Sequence, residues 1–97
     1  MNNMDTVYVL TRKECIPADN QTEVTIVGVY QIKSAAVIQQ LAECETIVKE
    51  LRENFDKEDI VVTKLQDLTL IDVCVDTKNY YLEINEFEIG EVKNTFV

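Results

Sequence analysis

The stretch KSAAVIQQLAECETIVKELRENF, residues 33–55, is where the hydrophobic period of this chain changes from two to 3.6. Val37, Leu41, Cys44, Val48, Leu51 and Phe55 recur at spacings of four and three, with Ile38 and Ile47 widening the stripe. Gln39, Gln40, Glu43, Lys49, Glu50 and Glu53 take the opposite side. The pattern predicts an amphipathic helix of about five to six turns, with Ser34 as its N-cap and DKED (56–59) as its end. Glu45 with Lys49, and Arg52 with Asp56, stand at the i,i+4 spacing of helical ion pairs.

Everything around this helix reads as strand. TVYVLTR (6–12) is rich in β-branched and aromatic residues. KECIPADNQT (13–22) has the composition of a loop, with Pro17, Asp19 and Asn20 as turn formers. EVTIVGVYQI (23–32) is apolar on both faces: Val24, Ile26, Tyr30 and Ile32 fall on one, Val27 and Val29 on the other. Two apolar faces predict a central strand, and Gly28 within it predicts a bulge or a close approach. Tyr8 and Tyr30 are placed to pair across strands.

After the helix come IVVTKL (60–65), LTLIDVCVD (68–76) and YYLEINEFEI (80–89). Asp76-Thr77-Lys78-Asn79 predicts a tight hairpin, with Asn79 at positive φ. In the last strand Leu82 and Ile84 lie on one parity and Phe87 and Ile89 on the other, which predicts a bulge near Asn85-Glu86. The order β-β-α-β-β-β predicts one α+β domain over residues 1–97. Its architecture would be a two-layer sandwich, one long helix on a mainly antiparallel sheet of four to five strands. One helix covers one sheet face. Val27, Val29, Ile71, Val73 and Val75 are the candidates for the other, and burying them against a second copy predicts a homodimer.

Ninety-seven residues at 46% hydrophobic content suit a single small core. Eighteen acids oppose nine bases, a net charge of −9, and residues 43–97 hold fourteen of the acids and six of the bases. Such a field repels nucleic acid and anionic membranes and attracts a protein with a basic surface, including a nucleic-acid-binding one. Acids also serve solubility. Asp72, Asp76, Glu83, Glu86, Glu88 and Glu91 are the candidates for an acidic interaction surface, with Tyr80 and Tyr81 as aromatic anchors beside them.

Catalytic candidates are few. The chain has no histidine, which removes the usual general base, the serine and cysteine triads and histidine metal sites. Two glycines cannot build a phosphate loop. Cys15, beside Arg12 and Lys13, has no base in sequence reach; Cys44 belongs to the helix stripe and Cys74 to a half-buried sheet position. Glu86 and Glu88, about 7 Å apart on a strand, are the one carboxylate pair near enough for a ligand or hydrolase site. No catalytic residue, cofactor or metal is assigned. Three cysteines, an odd number with no CxxC pair, and a segment 1–10 without signal-peptide character predict a cytoplasmic protein with reduced thiols.

The strands VYVLTR (7–12) and VTIVGVYQIKS (24–34), the second leading into the helix, and the last strand YYLEINEFEIGE (80–91) resemble a loose class of short, uncharacterised proteins of phages and prophages. The resemblance spans most of the chain and carries no catalytic motif. It implies a small acidic accessory factor that acts in the host cytoplasm and binds and inhibits or redirects a host protein, in some cases by mimicking nucleic acid. The alternatives are a structural module that homodimerises through its open sheet face, and a small ligand-binding domain or enzyme using the carboxylate pair.

Overall fold

The computed structural model describes residues 5–16, 20–74 and 78–89. Its elements are β1 (Asp5–Ile16), β2 (Gln21–Tyr30), α1 (Lys33–Leu51), a 3-10 turn (Lys57–Asp59), β3 (Ile60–Lys64), β4 (Leu68–Val73) and β5 (Lys78–Ile89). The fold is α+β: one helix packs on a five-stranded antiparallel sheet of order β2-β1-β5-β4-β3. The terminal strand β5 pairs with both β1 and β4 and so holds the middle of the sheet. Alternation along β5 buries Tyr80, Leu82 and Ile84 beneath the helix, with Leu10 of β1 and Ile71 and Val73 of β4 beside them. Each such full burial of a large aliphatic side chain stabilises the fold by about 1.5–3 kcal/mol.

The helix meets this layer along Ala36, Gln40, Cys44, Ile47 and Leu51. In its first half that row lies one residue away from the stripe of largest side chains. Val37, Ile38 and Leu41 are exposed, Ile38 by 67%. Two causes fix this rotation. Ala36, fully buried, lets the backbone come close to the sheet. Gln40, expected on the solvent side, is buried instead, and its Nε2 donates to the carbonyl oxygens of Leu82 (2.8 Å) and Asp67 (3.2 Å). A buried carbonyl needs donors, and an amide meets that need where Leu41 cannot. Ser34 is the second helical residue and not the cap. The cap is Ile32, with no side-chain hydrogen bond to the helix start. The expected ion pairs of Glu45 with Lys49 and Arg52 with Asp56 are not formed; among the described residues the bridged bases are Arg12, Lys33 and Lys78.

Several strand details differ from the sequence pattern. β1 and β2 extend through much of the expected loop, to Ile16 and from Gln21, and Asn20 carries the only positive φ (54°) among the described non-glycine residues. Asn79 is an ordinary strand residue of β5; Asp76 and Thr77 lie outside the described residues. β5 has no bulge at Asn85-Glu86. Its register against β1 is unbroken from Asp5 opposite Ile89 to Cys15 opposite Asn79. The irregularity lies in β2, where Leu10 faces Gly28 but Thr11 faces Ile26, leaving Val27 as the extra residue. Gly28, where a bulge or close approach is expected, adjoins this step and lies under Tyr30: a Cβ there would stand 2.7 Å from the ring carbon Cζ. Tyr30 pairs with Tyr8 as the spacing suggests. β2 is an edge strand, not a central one. Its apolar residues on both parities reflect the bulge and an uncovered face.

Two substitutions test these causes. Gln40→Leu, stabilising on hydrophobicity alone, is expected to lower stability by about 1–2 kcal/mol because it removes two donated hydrogen bonds, one to a buried and one to a part-buried carbonyl. Urea unfolding with an unchanged m-value and a lower midpoint would show it. Ile32→Ser supplies the missing cap and is expected to raise stability by about 0.5–1 kcal/mol in the same measurement.

Candidate interaction surfaces

In a sheet, directly opposed residues share a face, so the register sorts the candidate residues. Leu10, Arg12 and Glu14 lie on the helix side, opposite Ile84, Leu82 and Tyr80. Val7, Val9, Thr11 and Lys13 lie on the other side, opposite Phe87, Asn85, Glu83 and Tyr81. The Val27 bulge carries Val29 onto this second side together with Ile26 and Val24, since they oppose Val9, Thr11 and Lys13. Leu68 and Leu70 join from β4, opposite Glu83 and Tyr81.

The uncovered sheet face is therefore apolar, but its membership differs from the expected one. Ile71 and Val73 are fully buried beneath the helix, and Val27 packs against the same core. Of the five candidates only Val29 lies on the open face; Val75 lies outside the described residues. The correction follows from the helix covering the odd parity of β4 and from the bulge in β2. The residues that take their place are Val24 (61% exposed), Ile26 (65%), Phe87 (53%) and Ile89, with Val7, Val9 and Leu70 between them. Parity counting could find them only with the position of the bulge in hand. Thr11, Lys13, Val24, Leu68, Tyr81 and Glu83 line a hollow of about 340 Å³ on this face.

The acidic candidates do not form one strip. Asp72 and Glu83 belong to the open face, paired with Asn79 and with Thr11 and Leu68. Glu86 and Glu88 have the parity of Ile84 and lie on the helix side. They remain exposed because a 19-residue helix, about 28 Å long, cannot cover a 12-residue strand of about 40 Å. Asp76 and Glu91 lie outside the described residues. The tyrosines separate as well. Tyr80 is a core residue, 5% exposed, with Arg12 and Lys78 each 5.4 Å from its ring centre. It is closed to a partner. Tyr81 is half-buried on the open face under Lys13, 5.5 Å away.

The cations near Tyr80 are bound to acids: Lys78 to Glu14 (3.3 Å) and Arg12 to Glu43 (3.5 Å). Lys33, at the start of the helix, bridges Asp67 at 3.0 Å. Cys15 is half-buried in β1, with the Thr22 hydroxyl 4.0 Å from its sulfur. Cys44 is in the core as its stripe position suggests, whereas Cys74 is exposed just past β4. Among the described residues no three Cys, Asp or Glu side chains gather as a metal site, and no helix is long and apolar enough to cross a membrane.

Three groups give the fold the same pH dependence. Burial raises the Cys44 thiol above its ordinary 9.0, with Lys64 opposing. The bond to Asp67 raises Lys33 above 10.5, and Tyr80, then Glu14, raise Lys78 above the same value. In each case the folded chain holds its proton more tightly than the unfolded one. The associated stability is complete below the unfolded values and is lost as pH rises through the folded ones. The melting temperature is expected to fall above about pH 9, and Cys44→Ala to remove the earliest part of that fall, as thermal scans from pH 7 to 11 would record.

No protein-family model, no curated protein and no solved structure matches this chain, so any functional reading rests on the surfaces just described.

Proposed function

We propose that this chain is a non-enzymatic interaction module, a small acidic accessory factor of the phage type its segments resemble. It acts as a homodimer in which the open face of one two-layer α+β unit covers the same face of its copy. The observation that carries this reading is the apolar sheet face centred on Ile26, Val29, Val9 and Phe87. Monomers rarely leave such a surface open. Strands of 12, 10, 5, 6 and 12 residues, at about 3.3 Å per residue and about 4.8 Å spacing, span roughly 700 Å² per copy, close to the ~800 Å² per partner of a standard interface.

Charge favours a second copy of this chain as the occupant. The described charged side chains on this face are Lys13, Asp72 and Glu83, close to neutral, although the chain carries −9 in total. Two copies can meet there while most of their like charge stays outside. The second reading, a protein partner with a basic surface, is favoured by Glu86 and Glu88, exposed on the other side of β5 and left clear by such a dimer. In that reading the dimer presents acids to a host protein and inhibits or redirects it.

Light scattering after gel filtration at 1–100 µM is expected to give twice the 11.2 kDa chain mass. Ile26→Lys is expected to give a folded monomer, and Ile38→Lys, on the exposed helix side, to leave the dimer intact. A wild-type monomer at 100 µM, or a dimer indifferent to Ile26→Lys, overturns the reading.

A further inference from the structure

On the helix side of the sheet, away from the proposed dimer face, α1 and β3 enclose a groove of about 860 Å³. That is within the ~300–1,000 Å³ range of small-molecule sites. Cys44, Val48 and Val62 give it an apolar wall, and Lys49, Arg52 and Lys64 bring three cations to it. Glu45 is the one carboxylate among the lining residues. The placement runs against the charge of the whole molecule: a chain of net −9 gathers a third of its nine bases in one groove.

The helix phase explains how the cations come to be there. With Cys44, Ile47 and Leu51 turned down onto the sheet, Val48 and Arg52 point along the flank nearest β3, and Lys49 lies beside them. On β3, Val62 and Lys64 oppose Ile71 and Thr69, both buried beneath the helix, and so share the helix side. Arg12, Lys33 and Lys78 are held by carboxylates, whereas Lys49, Arg52 and Lys64 form no salt bridge among the described residues. Three like charges around one opening repel each other. An anion placed between them relieves that repulsion and accepts charge-assisted hydrogen bonds.

We propose that this groove binds a small amphiphilic anion, its phosphate or carboxylate head held by Lys49, Arg52 and Lys64 and its short apolar body laid against Val48, Val62 and Cys44. The wall accounts for the apolar requirement and the three cations for the anionic one. Neither half alone makes the site.

The test is an NMR titration of the full-length protein with octyl phosphate below its aggregation threshold, beside inorganic phosphate and octanol. Octyl phosphate is expected to shift the amides of Cys44, Val48 and Val62 saturably. It is expected to bind at least tenfold more tightly than inorganic phosphate or octanol, and less tightly as salt rises. Arg52→Glu/Lys64→Glu is expected to weaken it tenfold or more. If that variant does not fold, Lys64→Gln on the exposed edge strand is expected to weaken it about threefold. Equal binding of inorganic phosphate or of octanol overturns the proposal. So does binding indifferent to these substitutions, or shifts confined to open-face residues such as Ile26.

Discussion

The side-chain amide of Gln40 joins the helix to the sheet, and much else follows from where it sits. Its two hydrogen bonds reach Leu82 in the central strand β5 and Asp67 in the turn before β4. The Asp67 carbonyl also accepts from the Ile84 amide, and its carboxylate holds Lys33 at the first turn of the helix. Helix, central strand and the β3–β4 connection thus meet at one polar point inside an apolar layer. A hydrogen bond of this kind contributes only about 1 kcal/mol net, but it is directional where hydrophobic burial is not. Direction is what sets the rotation of a helix about its own axis.

That rotation distributes the surfaces. Ala36 takes the close approach to the sheet, and Val37, Ile38 and Leu41 are left facing solvent. Further along, the same phase turns Val48, Lys49 and Arg52 toward β3, where Val62 and Lys64 meet them. A helix rotated to bury Val37 and Leu41 would satisfy more apolar area in its first half. It would also take the Gln40 donor from both carbonyls, leaving Asp67 only the Ile84 amide, at up to about 1–3 kcal/mol where a buried polar group is left unpaired. The polar requirement prevails because it concerns backbone that cannot move away.

The sheet shows the complementary effect of one extra residue. Val27, inserted opposite no partner, shifts the parity of β2 so that Val24, Ile26 and Val29 share one face. β5, in contrast, keeps its register over its whole paired length. Its change of apolar parity marks the end of the helix, not a break in the strand: Leu82 and Ile84 are under α1, while Phe87 and Ile89 face the uncovered side. Glu86 and Glu88 consequently point away from Glu83 and Asp72. The chain's negative charge is divided between two surfaces, and the apolar centre of the open face stays nearly neutral.

From the sequence by itself the element types and their order are determined, because a period of 3.6 over 33–55 and runs of β-branched residues elsewhere are local properties of the chain, although the helix itself stops at Leu51. The pairing of Tyr8 with Tyr30, the close approach at Gly28 and the burial of Cys44 are legible for the same reason. The absence of histidine likewise limits the available chemistry without any structure. Tertiary structure alone decided which way each face points. Ile71 and Val73 look equally suited to an open face or a core until the helix is placed over them. Gln40 reads as a solvent residue until the carbonyls of Leu82 and Asp67 are seen to need it. The groove cations read as members of helical ion pairs until β3 brings Lys64 beside them. Burial, register and side-chain pairing depend on residues far apart in the chain, so local periodicity cannot carry them.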